Sequence, residues 1–337
     1  MPIRMKKEIA GNGSVVFMYS GQGSQYYKMG EELYETDDIF SNHMDECAEI
    51  CKQQRNVDLI EVLYHPKEKH AAFEDLELTS PALCAIQYSL TKMLMAKGIK
   101  PNAVLGYSLG EFVASVITGV LPIDFALCFL IDKSKVIKNK VPKGRMMSVI
   151  ANQESFENQS FLFRDAKLIA HNSPMNFVVS GNQEDIDALG QHLSDQYNAS
   201  AIQLPVSYPL HTHLVDHIKE DVNDLTKSLS FQASSIDMYS CEKGALFHES
   251  ISGQHYWNVI RNDIKFRKTI QSVAEDRNRT LFVDLGPSGT LANFVKQNMD
   301  DTLLANCEVT HLINPFGNNK DSVAACLANI QSYLNDN

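Results

Sequence analysis

The chain has 337 residues, 44% of them hydrophobic and 21% charged, with a formal net charge of −11. Such a chain can bury a large core, in one domain or two unequal parts; its acidity argues against nonspecific nucleic-acid binding, and no apolar run reaches membrane-spanning length. Met1-Pro2-Ile3-Arg4-Met5-Lys6-Lys7 leads into Glu8-Ile9-Ala10-Gly11 without the apolar centre of a secretory signal, and seven cysteines without a C-x-x-C pair suit a reducing compartment, so a cytoplasmic location is expected.

In chain order, Val15-Val16-Phe17-Met18-Tyr19 reads as a buried strand that runs into the loop Ser20-Gly21-Gln22-Gly23-Ser24-Gln25. A dinucleotide-binding loop is excluded there, because Tyr26 stands where G-x-G-x-x-G needs its third glycine. Cys47 and Cys51, four apart in an expected helix, mark one buried face. Ser80-Pro81 predicts a helix start with proline in the first position, the helix running to about Lys97-Gly98. Ala103-Val104-Leu105 is then a short strand, Gly106-Tyr107-Ser108-Leu109-Gly110 a turn, and Glu111-Phe112-Val113-Ala114-Ser115 a helical segment.

From Lys143 to Pro205 the pattern becomes β-α-β-β-α-β: Met146 to Ile150, a helical stretch, Leu168 to His171, Phe177 to Ser180, a helix from Gln183 to about Tyr197, and Ala201 to Leu204. The expected fold class is α/β, with an α/β-hydrolase-like large subdomain (residues 1–142 and 206–337) and an inserted ferredoxin-like small subdomain (143–205). Val323, Leu327, Ile330 and Leu334, at helical spacing, predict a final helix docking on the core.

The turn at Ser108 has the layout of a nucleophile elbow: a serine between strand and helix, flanked by glycines that permit close packing. Free N–H groups at the helix start can stabilise an oxyanion. A serine hydroxyl needs a base at neutral pH, and Leu204-Pro205-Val206-Ser207-Tyr208-Pro209-Leu210-His211 is an extended segment ending in a histidine. His211 is one of eleven histidines, so residue type alone does not single it out.

Six ordered blocks do. Ser20-Gly21-Gln22-Gly23-Ser24-Gln25, Gly106-Tyr107-Ser108-Leu109-Gly110-Glu111, Asn172-Ser173-Pro174, Tyr208-Pro209-Leu210-His211, Tyr256-Trp257 with Arg261 and Phe266, and Leu285-Gly286-Pro287 occur in one sequence. The chain thereby resembles malonyl-CoA:acyl-carrier-protein transacylases and polyketide-synthase acyltransferase domains over nearly its whole length. The resemblance implies Ser108 as nucleophile, His211 as base, and the main-chain N–H groups of Gln22 and Leu109 as oxyanion hole. It also implies a histidine oriented by main-chain carbonyl groups, so no third acid is named. Asn172 matches a family asparagine near the acyl pocket and reads equally as a turn residue. No permanently bound cofactor is implied, the acyl substrates being carried on phosphopantetheine of acyl carrier protein or on coenzyme A.

Departures from the family pattern narrow the reading. Where malonyl-transferring members hold an arginine fork for the malonate carboxylate, this chain has Lys133, with Asp132 beside it expected to compete. Ser80 replaces a family glutamine, Tyr107 the histidine before the nucleophile, and Leu210 precedes the base where phenylalanine or serine is usual. These changes favour a free-standing acyl hydrolase, or an acyltransferase for groups other than malonyl, over an ordinary malonyl loader.

The basic block Lys133, Lys135, Lys138, Lys140, Lys143 and Arg145 reads either as a docking face for an acidic carrier protein or as a solvated helix face. Two rival readings remain. His211-Thr212-His213-Leu214-Val215-Asp216-His217 resembles the H-x-H-x-D-H metal motif of metallo-β-lactamase-fold hydrolases, one residue too long. A non-catalytic carrier-binding module would account for the missing arginine but not for intact Ser108, His211 and Gln22.

Overall fold

The computed structural model describes residues 13–65, 72–157, 164–247, 250–277 and 279–335. Its strands are β1 (Ser14–Tyr19), β2 (Ala103–Gly106), β3 (Arg145–Ile150), β4 (Lys167–Ser173), β5 (Asn176–Gly181), β6 (Ser200–Gln203), β7 (Asp237–Ser240), β8 (Ala245–Leu246), β9 (Thr280–Asp284) and β10 (Cys307–His311). They form two sheets, ordered β10-β9-β1-β2-β7-β8 and β4-β5-β3-β6. In the first, only β8 runs antiparallel to its neighbour. Every residue of β1, β2 and β9 is buried, the continuous burial expected of parallel strands covered on both faces.

The second sheet is antiparallel and lies between Ser108 and His211 in the chain. Its spatial order and β-α-β-β-α-β succession are those of the ferredoxin-like fold. Side chains alternate along β3 and β5. Met147, Val149, Phe177 and Val179 join the cluster under helix Gln183–Tyr197, while Met146 and Val178 point into the main core. The molecule is thus an α/β-hydrolase-like large subdomain bearing a ferredoxin-like small one.

Two sequence expectations are corrected. The helix expected to start at Ser80-Pro81 begins at Leu76 and runs to Ala96, because Asp75 caps it by accepting from Glu77 N. Pro81 lies inside this helix, leaving the Glu77 carbonyl without its usual i+4 donor. Ser80 is therefore a buried helical residue whose hydroxyl is free to bond elsewhere. In the last helix, Asn319–Asn335, the buried stripe is Val323, Cys326, Ile330 and Tyr333, whereas Leu334 is 46% exposed. Tyr333 completes it by packing near β1, its hydroxyl donating to Ser14 O. Among the described residues no helix is long and apolar enough to cross a membrane.

Candidate active site

β2 ends at a tight turn into the helix Gly110–Ile117, and Ser108 sits on that turn in a left-handed conformation, φ +52°. This conformation is uncommon for a residue with a side chain and marks a constrained site. The flanking glycines explain how the turn fits. A Cβ at Gly110 would lie 2.0 Å from Tyr19 O, and one at Gly106 would lie 2.4 Å from Glu111 Cα. The elbow helix can approach β1 and β2 this closely only with hydrogen in both places.

His211 reaches the serine from the segment after β6. It too is left-handed, φ +62°, and its main-chain N–H donates to Ile260 O. Nε2 lies 2.9 Å from Ser108 Oγ, and Nδ1 lies 2.8 Å from Asn262 O. A carbonyl only accepts, so Nδ1 carries the proton and Nε2 presents a lone pair to the serine. Burial lowers the His211 pKa to about 4; the Asn262 carbonyl opposes that shift, the Lys133 charge adds to it, and Asp263 opposes it. The imidazole is therefore neutral at pH 7, the state a general base requires.

Asn262 is itself held. Its Nδ2 donates to Glu242 Oε1 at 2.9 Å, and the Glu242 N–H donates to Glu111 Oε1, which also accepts from Ser240 Oγ. Glu111 and Glu242 are both buried, and His255 Nε2 lies 3.0 Å from Glu111 Oε2. A chain of contacts thus joins the elbow helix to the carbonyl that orients His211. Sequence reasoning missed Asn262 and Glu242, because an acceptor carbonyl leaves no side-chain signature and Glu242 lies in none of the ordered blocks.

The loop after β1 packs against the elbow: a Cβ at Gly21 would lie only 2.9 Å from Ser108 Cβ. Gln87 Oε1 accepts from Ser20 N, Ser24 Oγ donates to Gly21 O, and Gln25 Nε2 donates to Phe73 O and Pro205 O. Gln22 Nε2 donates to Ser80 Oγ and its Oε1 accepts from Thr79, while Ser80 also meets Ser134 Oγ at 3.2 Å. The main-chain N–H groups of Gln22 and Leu109 have no acceptor among the described residues. Unspent donors beside a serine hydroxyl would suit the charge that develops on an attacked carbonyl oxygen.

A cavity of about 20 Å³, room for roughly one water, opens at Ser108 and is lined by Gln22, Tyr107, Met146, Ile169, Val178, Leu204, Leu210, His211 and Ile264. The sequence-selected Gln22, Tyr107, Ser108, Leu210 and His211 meet there. Leu109 lies behind the serine at the helix start. Ser80 lies off the cavity, behind Gln22. Asn172 is wholly buried, accepting from Tyr107 O–H at 3.1 Å and donating to Asn176 Oδ1, so it positions Tyr107.

Lys133 does not line the cavity either. It is 5% exposed, with Nζ 5.8 Å from the Phe112 ring centre and no hydrogen bond or ion pair among the described residues. Burial pulls its pKa down to about 8. The expectation that Asp132 competes with an incoming carboxylate is corrected. Adjacent positions on a helix face different ways, and Asp132 instead binds Arg55, with Nη2 to Oδ2 at 2.6 Å and Nε to Oδ1 at 2.8 Å.

Carboxylates meet most of the basic block. Lys135 pairs with Asp132, Lys138 with Asp75 and Glu77, Lys140 with Asp221, and Arg145 with Asp187. Lys143, exposed, lies over the Tyr208 ring at 4.2 Å. The alternative metal motif is dispersed: His213 is 3.7 Å from Asp165, Asp216 pairs with Arg261, and His217 bonds Lys140 O. Among the described residues no group of histidine, cysteine and acidic side chains could hold a metal ion.

A parallel sheet with a serine elbow, and a ferredoxin-like unit threaded between that serine and its histidine, define the two-subdomain acyltransferase class. The chain belongs to the acyl transferase domain family, which matches residues 16–333. It is 35% identical to the polyketide biosynthesis acyltransferase homolog PksD of Bacillus subtilis, over 90% of this chain and 93% of that protein. It is 31% identical to the homolog BaeD of Bacillus velezensis, over 85% of this chain and 88% of that one. Its fold is similar to a loading acyltransferase from the avermectin modular polyketide synthase, with TM-score 0.86, 22% identity, and coverage of 94% of this chain and 99% of the other.

Proposed function

We propose that the chain is a Ser108–His211 acyl-enzyme catalyst acting on acyl thioesters in polyketide biosynthesis, and that it releases neutral acyl groups by hydrolysis or moves them in preference to malonyl. The observation that carries this reading is the 2.9 Å contact of Ser108 Oγ with a neutral, carbonyl-anchored imidazole. His211 Nε2 takes the hydroxyl proton as Oγ attacks the thioester carbonyl, and the N–H groups of Gln22 and Leu109 receive the oxyanion. Collapse breaks the C–S bond, and the imidazolium protonates the departing thiolate of phosphopantetheine or coenzyme A. Water then attacks the ester, His211 takes its proton, and the acid leaves as Ser108 regains its hydrogen.

The preference for neutral groups rests on the cavity wall. Met146, Ile169, Val178, Leu204, Leu210 and Ile264 are apolar, and among the described residues no cation lines the cavity. A malonyl carboxylate buried against that wall would lose its hydration without a bidentate partner. A second reading, malonyl transfer to a carrier protein, is favoured by the buried Lys133 ammonium, which has no ion-pair partner among the described residues, acts electrostatically on His211 and would be satisfied by a carboxylate.

Intact-protein mass spectrometry with acetyl- and malonyl-thioesters, alongside free-acid release, separates the two. Faster Ser108-dependent acetyl loading and release supports the hydrolytic reading, with Lys133→Arg shifting preference towards malonyl. Efficient malonyl transfer to a carrier protein with little free acid overturns it.

A further inference from the structure

Three of the large apolar side chains most exposed to solvent belong to the small sheet and its β4–β5 turn: Ile150 at 49%, Met175 at 54% and Ile202 at 56%. The register places two of them on the face that looks into the cleft. Side chains alternate along a strand, so Met146, Ser148 and Ile150 share one face of β3. Ser148 pairs with Ile202 of β6 and with Val178 of β5, which puts Ile202 and Val178 on that same face. Ala201 points the other way, towards Gly190 of the covering helix.

Met146, Val178 and Leu204 form the wall of the cavity at Ser108. The apolar surface therefore begins at the nucleophile and continues outwards over Leu204 and Ile202 to Ile150. From Met146 to Ile150 it spans about 13 Å. The neighbouring polar groups on this face are uncharged: Ser148 Oγ accepts from Asn176 Nδ2, and Ser200 lies opposite Ile150. Of the strand cations, Arg145 alternates with Met146 onto the other face, where Asp187 and Gln203 engage it, and Lys167 lies two strands from Met146, opposite Ser180.

We propose that this face is a shelf for the apolar tail of a medium-length acyl chain whose carbonyl is bound at Ser108. The inference rests on the acyl-enzyme reading of the site and names its substrate class. The cavity has room for little more than the reacting carbonyl, so an acyl chain must leave it along a wall, and the wall that stays apolar leads to Ile202 and Ile150. An uncharged shelf suits a hydrocarbon tail, whereas a phosphate-bearing arm or an acidic carrier surface would call for cations. Contact with the tail would cover both isoleucines, whose exposure in the free protein has no structural return.

The test compares octanoyl- and acetyl-pantetheine in the wild type and in the Ile150→Ser, Ile202→Ser double variant. Both side chains are about half exposed, so folding should survive, with thermal melting as the control. The expected result is a fall of about tenfold in kcat/KM for octanoyl, set by lost apolar burial, with acetyl unchanged. Unchanged octanoyl turnover, or equal loss on both, overturns the shelf. So does a loss seen only with carrier-bound substrates of either length, which would make the patch a protein-docking surface. If the wild type loads acetyl on Ser108 but not octanoyl, the shelf alone is refuted; if it loads neither, the reading of the site falls with it.

Discussion

The main-chain N–H of Glu242 donates to Glu111 Oε1 at 2.9 Å, so the elbow helix and the support of His211 are joined through one residue. Glu242 then uses its own Oε1 to hold the Asn262 side chain, whose carbonyl fixes His211. Glu242→Ala removes that hold without touching the cavity. Acylation should slow by about tenfold through misplacement of the imidazole, with KM little changed. Glu242→Gln, which keeps an acceptor oxygen, should restore most of the rate. Single-turnover labelling of Ser108 reads both, and a matched fall in KM and kcat with Gln no better than Ala would refute a positioning role.

Ser108→Ala should abolish acyl-enzyme formation while leaving the melting temperature close to wild type, since the lost group is one hydroxyl. His211→Ala should slow acylation by roughly a hundredfold or more, the scale of a lost general base. Label appearing on another residue of Ser108→Ala would overturn the assignment.

Lys133→Met removes a cation that lowers the His211 pKa, so that pKa should rise from about 4 and the acid limb of kcat/KM should move to higher pH. The stability effect has the opposite cause. The folded Lys133 pKa is about 8 against an ordinary 10.5, so the folded state disfavours the proton. That penalty is full below about pH 8 and fades as pH rises towards 10.5. The variant should therefore melt higher at pH 7, and its advantage should shrink in alkaline buffer. An acid limb that stays put would show that Lys133 does not act on the base.

Charge reversal at Lys138 or Lys140 breaks exposed pairs with Asp75, Glu77 and Asp221, each worth about 1 kcal/mol or less. Small stability losses are expected, with no selective effect on carrier-bound substrates. Lys143→Glu should slow carrier-bound turnover severalfold at low salt and spare carrier-free thioesters, because among the described residues no carboxylate pairs with Lys143 to offset its field. Equal effects on both substrate forms would exclude docking at this face.

Asp284 ends β9 and accepts from Gly286 N and Ala292 N, one on each carboxylate oxygen, both at 2.8 Å. Burial raises its pKa to about 6. Asn at this position would turn an amide N–H towards one of these donors, and urea unfolding should show a loss of about 2 kcal/mol. No loss would mean that the carboxyl group is not used as an acceptor pair.

The strands and the turn at Ser108 were legible because each leaves a side-chain pattern: continuous apolar runs for β1 and β2, alternation for β3 and β5, and glycines around Ser108. Asp132 was misjudged because adjacency in sequence says nothing about direction on a helix, and its partner Arg55 lies on a different helix. Pro81 pointed to a helix start, yet Asp75, about two turns upstream, caps the helix. The Gln22–Ser80–Ser134 contacts and the Glu242–Asn262 hold join residues far apart in the chain, and pairings of that kind follow only from the assembled fold.

The Ser108–His211 contact joins positions 103 residues apart, with the whole small sheet between them. The two groups meet only after that unit has formed and docked. Long-range closure of this kind is slow compared with helix formation. During refolding, reactivity of Ser108 towards an acylating probe should therefore recover later than helical signal, making acylation a clock for the last stage of assembly.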